Sequence, residues 1–342
     1  MIPSPRSTGT ARVAVAAAAL LFGTTGVAGQ VFAPGLPATT TAGWRVVIGG
    51  GALVLLSIAA GQAPWRFRLR RWHVVIGSLA FLGFQLGFFA AVDRLGVAAA
   101  TIVTIGSGPI VAGLLDRVRR GTRLRRRWLV GIGLAITGIA VMTGMNGVVL
   151  NTAGLACAVA AGCCFPVFGE VIRDLIVDRP ALAAIATVFG AAILPAALIL
   201  AFAGTKPVDT PGTAGVLLYL GLITTAVAYL LWSTGLPVLA LGETVTLTML
   251  EPVAATVLAM AVLPETASPA TGVGIVMALT GVWIATAPGR SRMPGTAVHT
   301  ASSAAHGGFA PAREQVIAET LDANVSAAIN PSGVNVSSRP PR

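Results

Sequence analysis

Ten apolar stretches, each about twenty residues long, succeed one another over the first 288 positions of a 342-residue chain. They lie at about 13–33, 44–61, 73–92, 96–115, 128–146, 153–172, 181–203, 213–232, 242–263 and 269–288. A hydrocarbon layer of about 30 Å is crossed by about 20 residues in helical form, because a helix satisfies its backbone polar groups internally. Only 10% of the residues are charged and 55% are hydrophobic, whereas a soluble domain carries about 25% charged residues. Such a chain cannot cover a water-facing surface. A soluble enzyme, a nucleic-acid-binding domain and a secreted disulfide scaffold are thereby excluded, and the pattern predicts an all-α membrane protein with ten transmembrane helices.

The net charge of +11 does not indicate a nucleic-acid partner, because the basic residues flank the apolar runs. Placing the N-terminus in the cytoplasm gathers nearly all arginines on that side: Arg66 to Arg71, Arg117 to Arg127, Arg173 and Arg179, and those of both ends. Arg45, Arg94 and Lys206 fall on the other side. An even number of spans returns both termini to the cytoplasm. The alternative, a signal peptide formed by Arg12 and the first run, lacks a small-residue cleavage site followed by a soluble domain. Trp44, Trp65, Trp72 and Trp128 fall at span ends, as headgroup anchors do. Arg45 reads as a headgroup contact. Residues 289–342 change to Ser, Ala, Pro, Gly and Asn, the composition of a disordered cytoplasmic tail, where the Asn-Val-Ser matches at 324–326 and 335–337 are accidental. Cys157, Cys163 and Cys164 share one run without metal-ligand spacing and read as buried free thiols.

One ungapped register superposes the fourth span on the ninth: Thr101 on Thr244, Gly108 on Glu251, Pro109 on Pro252 and Thr122 on Glu265, with Phe89 on Trp232 upstream. A similar shift brings Gly29-Gln30 onto Gly169-Glu170. The chain therefore divides into a cytoplasmic N-terminus at 1–11, one five-helix repeat at 12–150, a second at 151–288, and the tail at 289–342. Five is odd, so the repeats insert with opposite topology, the inverted arrangement of secondary transporters whose site lies near the midplane.

These residues resemble the drug/metabolite transporter superfamily, specifically its ten-helix EamA-type family. The second half carries the clearest likeness, in Gly221-Leu222-Ile223-Thr224-Thr225-Ala226-Val227-Ala228-Tyr229, Leu250-Glu251-Pro252-Val253, Pro264-Glu265 and Gly281-Val282. In the first half Phe22-Gly23-Thr24-Thr25, Trp44-Arg45 and Gly108-Pro109 are similar. Two departures are Gly121-Thr122, where the family usually has Gly-Glu, and Gly162, which stands where span six would repeat Phe22. The resemblance implies a basket of ten helices that exports amino acids, metabolites or drugs.

Glu251 is the sharpest candidate site residue, an ionisable group near mid-membrane, where a charge costs about 2.5–3.5 kcal/mol. Pro252 cannot donate to the carbonyl of Thr248, which leaves that oxygen free for a ligand or water. Thr244, Thr248 and Glu251 share a helical face, so the carboxyl is placed to carry a proton or meet a cation. A protonated Glu251 bonding a neighbouring helix is the structural alternative. In span four Gly106, Ser107, Gly108 and Pro109 predict a broken helix exposing backbone to substrate, with a packing kink as the alternative. Gln85 must find a partner in hydrocarbon, and Phe89 lies one turn further along. Tyr229 and Trp232 are spaced to form an aromatic wall or simple packing. Thr24 and Gln30 complete the candidate substrate-binding set. Glu170 is expected near the inner end of span six, paired with Arg173 or reaching water.

No nucleotide-binding motif is present, so a gradient must drive transport. No cofactor or metal is expected; the partners are a small-molecule substrate, membrane lipid and, as an open possibility, a second copy in a homodimer. The predicted function is a secondary active transporter of the inner or plasma membrane, exporting small metabolites (amino acids or related compounds) by alternating access, with protons coupled through Glu251. Efflux of drugs or cationic compounds is the first alternative. An intramembrane lipid-modifying enzyme lacks a His/Asp or metal-ligand cluster, and a scaffold gives the midplane glutamate no use.

Overall fold

A computed structural model describes residues 7–32, 36–67, 70–143, 151–202, 211–262 and 268–287. The expected tail at 289–342, both Asn-Val-Ser matches, Lys206 and Glu265 lie outside the described residues. Ten helical spans are present, and the described residues contain no strand. In chain order they are α1 (Thr8–Phe32), α2 (Ala38–Ala59), α3 (Arg71–Leu95), α4 (Val97–Arg120), α5 (Arg126–Thr143), α6 (Thr152–Ile176), α7 (Ala181–Phe202), α8 (Pro211–Ser233), α9 in two pieces, and α10 (Pro269–Thr286). The pieces of α9 are α9a (Leu241–Leu247) and α9b (Leu250–Val262).

Local chemistry sets the helix ends. Asn151 Oδ1 accepts the Gly154 N–H at the start of α6, and Ser268 Oγ accepts that of Thr271 ahead of Pro269 in α10. Gly96 (φ 78°) turns the chain between α3 and α4, and Gly121 (φ 66°) ends α4 in the left-handed region open to glycine.

Apolar helices gain little by burying apolar surface from equally apolar lipid, so small residues that admit close backbone approach hold them together. Gly131 and Gly138 of α5 meet Gly281 and Gly274 of α10: a methyl on Gly131 would stand 2.6 Å from Ala285 N, and one on Gly274 would stand 2.5 Å from Met142 N. The register that carries Pro109 onto Pro252 also carries Gly131 onto Gly274 and Gly138 onto Gly281, so α5 and α10 pack as repeat equivalents. A second equivalent pair crosses between the halves. A methyl on Gly23 of α1 would reach within 2.7 Å of the Glu251 carbonyl, and one on Gly162 of α6 within 2.6 Å of the Thr104 carbonyl of α4. Gly162, which replaces the second aromatic, is therefore what lets α6 cross α4. The fold is all-α, with two inverted five-helix repeats.

Two expectations are corrected by this packing. Span four does not break: α4 runs unbroken from Val97 to Arg120 with Pro109 inside it and Gly108 buried. Membrane helices tolerate an interior proline where a neighbouring helix holds the segment, and here α6 lies against it through Gly162. The break occurs in span nine, at Thr248–Met249. Trp65 and Trp72 are exposed, as anchors are, but Trp44 and Trp128 are half-buried, and the Trp128 ring lies against Gly113 and Gly242. The three cysteines are free but half-buried rather than buried, since α6 turns them to different sides.

Candidate functional site

Glu251 stands in the first turn of α9b, directly after the break in α9 and midway along the span. Pro252 is tolerated there because the first turn of a helix does not need its N–H. The Thr248 carbonyl is not free as expected: it accepts the Glu251 N–H at 3.0 Å. Thr248 Oγ1 donates to Val245 O at 2.7 Å and Thr244 Oγ1 to Ala240 O at 3.1 Å, so both hydroxyls turn onto their own helix. A polar stripe of three side chains is therefore reduced to the carboxyl of Glu251, which is half-buried.

The charge that accompanies it comes from the other repeat. Arg45, expected at the headgroups, lies within the span Thr40–Ala59 and is half-buried. Its Nε donates to Thr225 Oγ1 at 3.2 Å. Arg45 and Glu251 act on each other electrostatically, and both act on Tyr229. Among the described residues no direct ion pair joins the two charges, so each keeps hydrogen-bonding capacity. The local backbone explains the placement. In α8, residues Leu222–Val227 form a π-helical segment, a widened turn common at functional sites. Thr224 and Thr225 hydroxyls both donate to Leu220 O at 2.8 Å. Gly49 of α2 packs against that turn, where a methyl would come within 2.7 Å of Gly221 O. Arg45 precedes Gly49 by one turn on the same face, which brings it to Thr225. An arginine set inside an apolar run is the sequence signal that could have found it.

Aromatic rings close one side. Tyr229 lies 4.9 Å from Phe22, 5.1 Å from Phe189 and 5.5 Å from Phe81 between ring centroids. Trp232 is 6.3 Å from Tyr229 but is fully buried, stacked on Phe168 at 5.8 Å and against Phe165 at 5.2 Å. Both rings belong to the packed core; Tyr229, 4% exposed, is the one next to Phe22 and one turn from Thr225, whereas Trp232 is enclosed by Phe165 and Phe168.

The remaining candidates scatter. Thr24 Oγ1 pairs with the Tyr219 hydroxyl at 2.8 Å, a staple between α1 and α8. Gln85 is buried in α3 and makes no side-chain hydrogen bond among the described residues. Phe89 touches Phe88 at 5.7 Å, outside the ring cluster around Tyr229. Ser107 donates to Thr104 O at 3.1 Å within the α4–α6 crossing. The Gln30 side chain lies outside the described residues.

A second polar region occupies the arginine-rich end. Asp116, Arg119 and Arg120 of α4 interlock with Glu170, Arg173 and Asp174 of α6: Arg120–Glu170 at 2.6 Å, Arg119–Asp174 at 2.9 Å and Arg173–Asp116 at 3.1 Å. Glu170 is more deeply engaged than expected, since Arg119 and Arg120 both hold it. Between spans, Arg179 donates to Asp178, and this bond with the positive charges of Arg179 and Arg70 holds the Asp178 carboxyl below the usual carboxylate range. Two cavities open here, of about 480 Å³ beside Asp116, Arg173 and Leu236 and about 250 Å³ beside His73, Glu170 and Asp174. Neither is lined by Arg45 or Glu251. No group of three metal-ligating side chains occurs among the described residues.

A membrane-spanning helical basket of two inverted repeats, with Glu251 midway along one span and Arg45 within the first third of another, fits the transporter class. The model of the EamA-like transporter family matches residues 10–144 and 151–287, one repeat each. The chain is 30% identical over 290 residues to "Uncharacterized transporter YwfM" of Bacillus subtilis (strain 168), covering 82% of this chain and 95% of that protein. A solved crystal structure, 20% identical, superposes with a TM-score of 0.71 over 83% of this chain and 99% of its own, a likeness of fold alone. The chain belongs to the EamA-like transporter family.

Proposed function

We propose that the protein exports small zwitterionic metabolites, amino acids or close relatives, across the inner or plasma membrane by alternating access, with the arginine-rich end in the cytoplasm. The observation that carries this reading is that the two repeats bring Arg45 and Glu251 to the surroundings of one ring: Arg45 donates to Thr225, one turn before Tyr229 on α8, and Glu251 lies against Gly23, next to Phe22, whose ring is 4.9 Å from that of Tyr229. A zwitterion satisfies both: its carboxylate meets the guanidinium, its ammonium meets the carboxylate, and its side chain meets the rings. Burying two charges against two opposite charges avoids the cost of leaving any unpaired. Glu251 is also the group placed to exchange a proton when the site is empty, which would couple export to the proton gradient.

Export of cationic compounds is the second reading, favoured by Glu251 and the ring of Tyr229. Arg45 opposes it, because a cation leaves the guanidinium uncompensated. Flux into liposomes against a panel of amino acids and cationic drugs separates the two. A zwitterion carrier loses amino-acid flux in both Arg45→Gln and Glu251→Gln. A cation carrier loses drug flux only in Glu251→Gln and gains it in Arg45→Gln. Persistence of pH-driven flux in Glu251→Gln removes the proton from the mechanism.

A further inference from the structure

The ion pairs at the arginine-rich end converge on the start of α9a, the short helix whose other end is the break before Glu251. Asp116, only 3% exposed, divides its two oxygens between two elements: Oδ1 accepts Arg173 Nη1 of α6 at 3.1 Å, and Oδ2 accepts the Gly242 N–H at the head of α9a at 2.7 Å. Arg173 spends its other donors on the turn that leads into α9a, with Nε to Leu236 O at 2.8 Å and Nη2 to Leu239 O. The next residue, Glu243, accepts Arg12 of α1 at 2.6 Å. One carboxylate and one guanidinium thus bind α4, α6 and α9a together, and the two repeats meet through them. The same pair lines the cavity of about 480 Å³, so water reaches the contact from outside. One turn further along α9a Val245, 2% exposed, packs towards Gly108 of α4.

We propose that Asp116 and Arg173 are positioning residues that lock this end of the transporter, holding α9a against α4; when the pair parts, α9a swings on the Thr248–Met249 break and the cavity extends towards Glu251. The inference rests on the transport reading for its purpose, but its test does not require transport. Val245→Cys is placed in the full chain with Cys157, Cys163 and Cys164 changed to serine. Its alkylation by a membrane-impermeant maleimide is timed in vesicles of known sidedness. Asp116→Asn or Arg173→Gln raises the rate from the arginine-rich side by about tenfold or more, as a population shift of that size requires, while Asp116→Glu leaves it near the parent value. Ala196→Cys, buried in α7, stays unreactive wherever the protein remains folded. An unchanged rate at Val245→Cys in folded Asp116→Asn and Arg173→Gln overturns the lock. If both fail to fold, the milder Arg173→Lys, which keeps the charge but cannot reach Asp116, Leu236 O and Leu239 O together, decides: faster labelling supports the lock and unchanged labelling overturns it. Normal amino-acid flux with unchanged labelling leaves the transporter and removes the lock; faster labelling without flux does the reverse.

Discussion

Arg45 and Trp232 exchange the roles their residue types suggest. An arginine near a span end is ordinarily a headgroup contact, yet α2 begins early enough to carry Arg45 inside, where Thr225 receives it. A tryptophan one turn from Tyr229 invites a place in a binding wall, yet its ring is enclosed by Phe165 and Phe168. The two therefore fail differently. Trp232→Ala removes a fully buried ring and costs about 3–5 kcal/mol of stability, read as earlier thermal unfolding in detergent. Glu251→Gln keeps shape and leaves the unfolding temperature near the parent value. It weakens amino-acid binding about 10- to 150-fold, the worth of a charged hydrogen bond of about 1.5–3 kcal/mol. Glu251 was legible because a carboxylate in hydrocarbon has few bland explanations. Arg45 was not, because its depth depends on where α2 starts, and sequence fixes span edges only to within a few residues.

At the scale of the element, composition located all ten helices but not their irregularities. Gly108-Pro109 and Glu251-Pro252 are equivalent in the repeat register, and both looked able to interrupt a helix. Only the second does, because Gly162 lets α6 close on α4 while α9 is released at Thr248–Met249. That difference lies in the neighbour, which no local reading of a proline contains. The π segment of α8 is equally silent in sequence. Gly49→Val forces α2 off this segment, where a methyl already meets Gly221 O; amino-acid flux falls and Arg45→Gln then adds little to the loss. The glycines between α5 and α10 were also unread, although the repeat register aligns them. Gly138→Val overfills their crossing at a cost of about 1–3 kcal/mol, measured as a lowered unfolding midpoint, and the smaller Gly138→Ala falls between.

For the whole molecule, opposed repeats make the two ends alike in fold, and the distribution of arginines is what tells them apart. The arginine-rich end carries the interlocked pairs of α4 and α6, and positive charge is retained on the cytoplasmic side. A cysteine replacing exposed Thr122 in a cysteine-free chain reacts with an impermeant maleimide from the cytoplasm alone; reaction only from outside reverses the orientation. The repeat itself was visible in sequence as aligned threonines and prolines. The placing of Arg45 and Glu251 around one ring was not, since it brings α2 of one half and α9 of the other to Tyr229 of α8.

Calorimetric binding of an amino acid and of its decarboxylated amine, to the parent protein and to Arg45→Gln, separates the two charges on one molecule. In the proposed site the guanidinium of Arg45 is matched to the carboxylate alone, so Arg45→Gln is expected to weaken the amino acid by about tenfold or more and to leave the amine unweakened. Equal loss for both ligands, or loss for neither, contradicts a site in which the two repeats each supply one charge to the same substrate.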